Sequence, residues 1–139
     1  MEMPLNWLLE GEPWIQYRTR RDLLDEPENA PEVQPARAGM VADTRLKTMV
    51  DDLAAWPGAA ITNHKNAGHL IHKLTFLADL GLSAEDPGMS VVVKRIREHV
   101  SPQGPFQVIM NIPTHFGGSG KDERAWALCD TPLVVYALA

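Results

Sequence analysis

The densest group of ligand-type side chains in this 139-residue chain is Asn63-His64-Lys65-Asn66-Ala67-Gly68-His69-Leu70-Ile71-His72. His69 and His72 stand three apart, so on a helix they are near enough to share one metal ion, and zinc suits imidazole. His64 lies about 140° round such a helix from His69 and joins only if the first turn is irregular. The same histidines serve equally well as partly buried groups that hydrogen-bond to backbone or line a helix interface. A second group comprises His115, Cys129 and Asp130. Thiolate and imidazole suit zinc there too, although Cys129, close to Trp126, also reads as a small buried apolar residue. Gly117-Gly118-Ser119-Gly120-Lys121 invites comparison with a phosphate loop. Such a loop needs glycine five residues before its Gly-Lys pair and Ser or Thr after it; His115 and Asp122 stand there, so that chemistry is excluded. The glycines leave open a lid, a turn that lets backbone approach a ligand, or a plain connection.

Other chemistry finds less support. Ser83, Ser90, Ser101 and Ser119 sit in no Gly-x-Ser-x-Gly elbow, so a hydrolase triad cannot be assembled. Arg18, Arg20, Arg21 and Asp22 form a charge cluster that reads as a solvated helix face, with Arg18 and Asp22 at i, i+4. Thirteen Lys and Arg against eighteen Asp and Glu give a net charge of -5. The scattered basic residues make no footprint for nucleic acid or an anionic membrane. A single cysteine excludes an intramolecular disulfide framework. Hydrophobic residues at 45% and charged ones at 22% mark a folded globular chain with one expected core. The longest apolar candidate for a membrane span, Pro132 to Ala139, has eight residues, far short of the ~20 a span needs. Met1-Glu2-Met3-Pro4 lacks the basic segment and apolar run of a signal peptide, which makes the cytoplasm the expected compartment.

The elements that must position these residues are mostly helical. Glu12-Pro13-Trp14 starts a helix over about 13 to 24, and Asp25 to Pro35, with Pro27, Pro31 and Pro35, reads as a connection. Asp43 offers an N-cap to a helix whose face carries Leu46, Met49, Val50 and Leu53, ended by Trp56-Pro57-Gly58. From about Asn63 to Leu80, the stripe Ala67, Leu70, Ile71, Leu74, Leu77 and Leu80 predicts the clearest helix, with Gly81 as a left-handed C-cap. Asp86-Pro87 starts a helix to about Val100 with Val92, Val93, Ile96 and Val100 inward. Phe106, Val108, Met110 and Ile112 alternate with other residues, predicting one short extended segment near 106–112. Asp122 can cap a short helix through Ala125, Trp126 and Leu128, and Thr131-Pro132 starts another at Leu133 to Leu138. That last helix is apolar almost all round, so it wants cover from another segment or another subunit.

Tyr17 to Leu24, His72 to Leu82 and Pro132 to Ala139 begin inward helices roughly 55 to 60 residues apart, a weak repeat of helix, acidic proline turn and helix. Ile71-His72-Lys73-Leu74-Thr75-Phe76-Leu77-Ala78-Asp79-Leu80-Gly81-Leu82, Asp86-Pro87-Gly88, Phe116-Gly117-Gly118-Ser119-Gly120 and Trp126-Ala127-Leu128-Cys129-Asp130-Thr131-Pro132-Leu133 resemble a bacterial and archaeal family related to the prenyltransferase and squalene-cyclase repeat proteins. With Trp14 to Leu24 the likeness covers most of the chain. The resemblance implies an α/α toroid, and because such proteins are about twice as long, it implies an N-terminal part or a truncated relative. The cyclase acid of the form Asp-x-Asp-Asp is absent, Asp51-Asp52 lacking the third acid. The zinc site of protein prenyltransferases, Asp-x-Cys with a distant His, is not matched, since Cys129 directly precedes Asp130 and helical neighbours point about 100° apart.

The sequence therefore predicts an all-α fold of stacked helical hairpins, a single domain over 1–139 forming an incomplete toroid, with one short extended segment allowed. Its inner wall would be Leu70, Leu74, Leu77, Phe106, Trp126, Leu133 and Tyr136. The expected function is a prenyltransferase-like protein holding an apolar, isoprenoid-type ligand near His115, Phe116, Gly117, Gly118, Trp126, Cys129 and Asp130, its catalytic step unspecified. Zinc on His69 and His72 is the cofactor considered. The competing expectation is a non-catalytic interaction module that forms homo-oligomers through its C-terminal helix.

Overall fold

The computed structural model describes residues 4–62 and 66–139. Helix dominates it: α1 (Leu5–Leu9), α2 (Pro13–Arg18), α3 (Val33–Ala42), α4 (Thr44–Leu53), α5 (Leu70–Asp79), α6 (Met89–Arg97) and α7 (Thr131–Leu138). A π-helical turn, Thr19–Leu23, continues α2. The all-α expectation needs correction, because β1 (Val108–Met110) and β2 (Glu123–Ala125) pair antiparallel, in the register Val108↔Ala125, Ile109↔Arg124 and Met110↔Glu123. The extended segment expected near 106–112 is thus β1. Its partner lies where a short helix capped by Asp122 was expected. Ile61 adds a parallel bridge to Met110 on the other side of β1.

The chain divides into two compact units, Met1–Lys47 and Thr48–Ala139. In the first, α2 packs on α3, burying Tyr17, Val33, Ala36 and Met40. The first three residues of α3 fall within the stretch Asp25 to Pro35 expected as a connection. Pro35 is its third residue, where a missing N–H leaves no intrahelical bond unmade. The Tyr17 hydroxyl donates to Glu28 Oε2 at 2.9 Å, and the Arg37 guanidinium lies 5.5 Å over the Tyr17 ring. Burial first, then the hydrogen bond to Glu28, pushes the Tyr17 phenol above its ordinary pKa.

Asp43 caps α4 as expected, Oδ1 accepting from the Arg45 N–H at 2.8 Å, while its other oxygen takes the Arg45 guanidinium at 2.9 Å. Arg45 also reaches Glu12 at 3.0 Å and covers the Trp14 ring at 4.3 Å. The guanidinium hydrogen bonds hold the Asp43 carboxyl at about 2, below its ordinary 3.8. A carboxyl depressed in the folded state stabilises it above the unfolded pKa, and that contribution disappears as pH falls through the folded one. Asp43→Asn should therefore be less stable than the parent at pH 5, and the gap should close between about pH 4 and pH 2. Urea unfolding at a series of pH values tests this, and a gap unchanged down to pH 2 would rule the argument out.

In the second unit α5 packs on α7, and Leu53, Ile71, Leu74, Leu77, Val92, Ile96 and Val134 are almost wholly buried. The C-terminus of α5 is as expected. Gly81 takes φ +91, its N–H donating to Ala78 O at 2.8 Å while the Leu82 N–H donates to Leu77 O at 3.0 Å. Both bonds of a Schellman cap are present. At the start of α6 the cap is Gly88 at φ +85 and not Asp86, whose carboxylate instead accepts from the Ser83 N–H at 2.7 Å. Of the expected inner wall, Leu70, Leu74 and Leu77 are buried and Phe106 and Leu133 half-buried, whereas Trp126 and Tyr136 are exposed. The Tyr136 hydroxyl donates to Asp79 Oδ1 at 2.6 Å, which keeps its ring at the surface. Among the described residues, no helix is long and apolar enough to cross a membrane.

Candidate functional site

Alternation along β1 sends Val108 and Met110 inward, each 3% exposed, and leaves Ile109 half-buried. The Ile61 N–H donates to Ile109 O at 2.8 Å and the Asn111 N–H to Ile61 O at 3.1 Å, so β1 is held on both edges. Residues 111–122 connect β1 to β2 as a closed loop. At its neck the Asn111 side-chain N–H donates to Asp122 Oδ1 at 2.9 Å. Inside it a 3-10 turn, Thr114–Phe116, is followed by glycines whose N–H groups return to the loop's start: Gly118 to Pro113 O at 3.2 Å and Gly120 to Ile112 O at 2.9 Å. This is the compact form of an Ω-type loop, ends together and packed on itself.

Gly118 explains the glycine run. A Cβ at this position would fall 2.1 Å from Ile112 O, 2.4 Å from Ile112 Cβ and 2.6 Å from Ile112 C. At Gly118 the close backbone approach is to the chain's own Ile112. Beneath it Ile61, Thr62, Met110, Asn111, Ile112, Pro113, Phe116 and Ala127 line a cleft of about 350 Å³. Its wall is mostly hydrocarbon, with Thr62 and Asn111 as the polar residues, and Phe116, 76% exposed, stands at its edge. The volume falls at the small end of ligand pockets, roughly 300–1,000 Å³.

The residues expected to form a site are only partly brought together here. Phe116 lines the cleft; the His115 ring lies tilted against it, 4.2 Å between ring centroids; Gly117 and Gly118 shape the loop. From the Trp126 to Asp130 segment the lining residue is Ala127. Trp126 and Cys129 are exposed. Asp130, expected as a polar rim group, is 6% exposed and sits at the N-cap of α7, where its carbonyl accepts from the Leu133 and Val134 N–H groups at 3.1 and 3.3 Å. A carboxylate there complements the positive end of the helix dipole. Ile61 and Thr62 were missed, since only their bridge to β1, between residues far apart in sequence, brings them to the cleft. Met110 and Ile112 were visible in the alternation that predicted the strand.

His69, expected with His72 as a zinc ligand, is engaged differently. His69 is not inside a helix but is the N-cap of α5, 8% exposed. Its Nδ1 accepts from the Ile71 N–H at 3.3 Å and its Nε2 lies 3.1 Å from Ala59 O. A carbonyl only accepts and an amide N–H only donates, so Nε2 carries the proton and Nδ1 the lone pair. Neither nitrogen is left to share an ion with His72. Among the described residues, no three His, Cys, Asp or Glu side chains converge as a metal site. The His64 part of that expectation lies outside the described residues. No family model matches the chain, and neither a curated protein nor a solved structure matches it.

Proposed function

We propose that the second unit binds a small apolar ligand of isoprenoid type in the cleft beside Phe116, in a protein of prenyltransferase-like kind built as part of an α/α toroid. The observation that carries this reading is a hydrocarbon-walled cleft on a loop folded tightly enough to hold an exposed phenylalanine at its edge. Apolar walls with a few polar groups suit a ligand that is mostly hydrocarbon with one hydroxyl end, for which Thr62 and Asn111 supply partners. The likeness of Phe116 to Gly120, and of Trp126 to Leu133, to the prenyltransferase and squalene-cyclase repeat proteins points the same way. No reacting group is assigned.

Nile red, a neutral apolar dye, and its displacement by geraniol test the reading. The parent should bind the dye and release it to geraniol, and Phe116→Ala should weaken both about fivefold. Dye binding that Phe116→Ala leaves intact would place the ligand elsewhere. Exposure of Val135 at 50% and Tyr136 at 57% favours the competing reading, a non-catalytic module that self-associates through α7. On that reading the parent sediments as a dimer and geraniol displaces nothing.

A further inference from the structure

The segment from Gly58 to Ile61 reaches the cleft from the end of α4, and two independent contacts fasten it to the first turn of α5. One is steric: at Gly58, φ +70, a Cβ would come within 2.6 Å of Leu70 Cδ1, so the segment lies directly on α5. The other is the His69 imidazole, which bridges Ala59 O and the Ile71 N–H. Two residues beyond Ala59, Ile61 forms both backbone bonds to β1 and lines the cleft together with Thr62. A helix cap as such needs only a short acceptor, and Ser, Thr, Asp or Asn supply it more commonly than His. Histidine places its second polar atom, Nε2, farther from the backbone than the amide of Asn or the hydroxyl of Ser or Thr, and there it meets Ala59 O.

We infer that His69 is a positioning residue for the cleft: its neutral imidazole, protonated on Nε2, couples the start of α5 to the Ala59–Ile61 wall and so holds Ile61 and Thr62 in place against β1. The inference concerns control of the site proposed above and rests on that reading only for its effect on ligand affinity.

The test separates the cap from the coupling. His69→Asn and His69→Asp retain an N-cap acceptor, but the carboxylate has no donor for Ala59 O and the Asn amide ends closer to the backbone than Nε2 does. Amide hydrogen exchange of the full chain should show the Ile61 and Asn111 amides exchanging about fivefold faster in both variants, with the α5 amides of Leu74 and Leu77 unchanged. Nile red affinity should fall about threefold, the loss expected when a wall is loosened but its side chains remain. Unchanged exchange at Ile61 and Asn111 in both variants overturns the inference, as does acceleration shared equally with the α5 amides, which would make His69 a cap and nothing more. If the exchange pattern is as expected but the parent itself binds no dye, the positioning role stands and it is the ligand reading that fails.

Discussion

Gly118→Ala should cost about 3 kcal/mol and abolish dye binding in the cleft, whereas Gly117→Ala, one residue away, should cost about 1 kcal/mol and spare most of it. The two glycines are constrained in opposite ways. Gly117 has φ +83 with nothing within 4 Å of its missing Cβ, so alanine there meets only the backbone cost of a left-handed residue. Gly118 has no left-handed backbone to defend, but a Cβ would lie 2.1 Å from the Ile112 carbonyl oxygen. Backbone atoms of Ile112 cannot swing aside as a side chain would, so the loop must lift off. Lifting removes the Gly118 and Gly120 bonds to Pro113 and Ile112 and carries Ile112, Pro113 and Phe116 out of the wall. The cost is bounded by the free energy of releasing the loop, so the unit should still unfold cooperatively. Thermal unfolding and Nile red titration of both variants would check this; equal losses for the two would mean that the approach to Ile112 is not what selects glycine.

Leu74→Ala should destabilise the second unit by about 3–4 kcal/mol, while Phe76→Ala, two residues along the same helix, should cost less than about 1 kcal/mol. Leu74 is 0% exposed among fully buried neighbours on α5 and α7, so truncation loses the transfer energy of its side chain and leaves a cavity that packed helices close only in part. Phe76 is 42% exposed and can be trimmed without opening a void. Denaturant unfolding read by circular dichroism should place the two variants well apart, with unchanged slope for both. Similar midpoints would mean that the α5 stripe is not the centre of the unit's core.

These two predictions differ in how far the sequence alone leads to them. The α5 stripe, its burial and the Gly81 cap follow from a period of 3.6 and one left-handed glycine, both local properties. The start of α5 does not: an apolar pattern running from Ala67 suggested a longer helix, and the imidazole that caps it at His69 looked like a metal ligand because spacing alone does not distinguish the two. The prolines misled in the other direction. Pro35 suggested a connection, yet in the first turn of a helix it removes no bond, and Val33, Ala36 and Met40 are buried one above another as any helical face would be. Least legible was β2. Three residues, Glu123-Arg124-Ala125, carry no alternation of their own and are strand only because β1 offers an unpaired edge. The cleft inherits that difficulty, since its wall joins Ile61, β1, the loop and Ala127 through tertiary contacts.

The Ile61–Met110 bridge also bears on the order of assembly. Hydrogen bonds within α5 and α6 close over four residues, and the β1–β2 pairs join residues 13 to 17 apart, but Ile61 and Met110 are 49 apart in the chain. Loop-closure entropy rises with that separation, and contacts of this range are the slow ones in small proteins. The helices can therefore mature while the cleft is still open on the Ile61 side. Closure of the cleft on the Ile61 side therefore belongs, together with the packing of α5 on α7 across an even longer stretch of chain, to the slow long-range part of refolding and not to local helix formation.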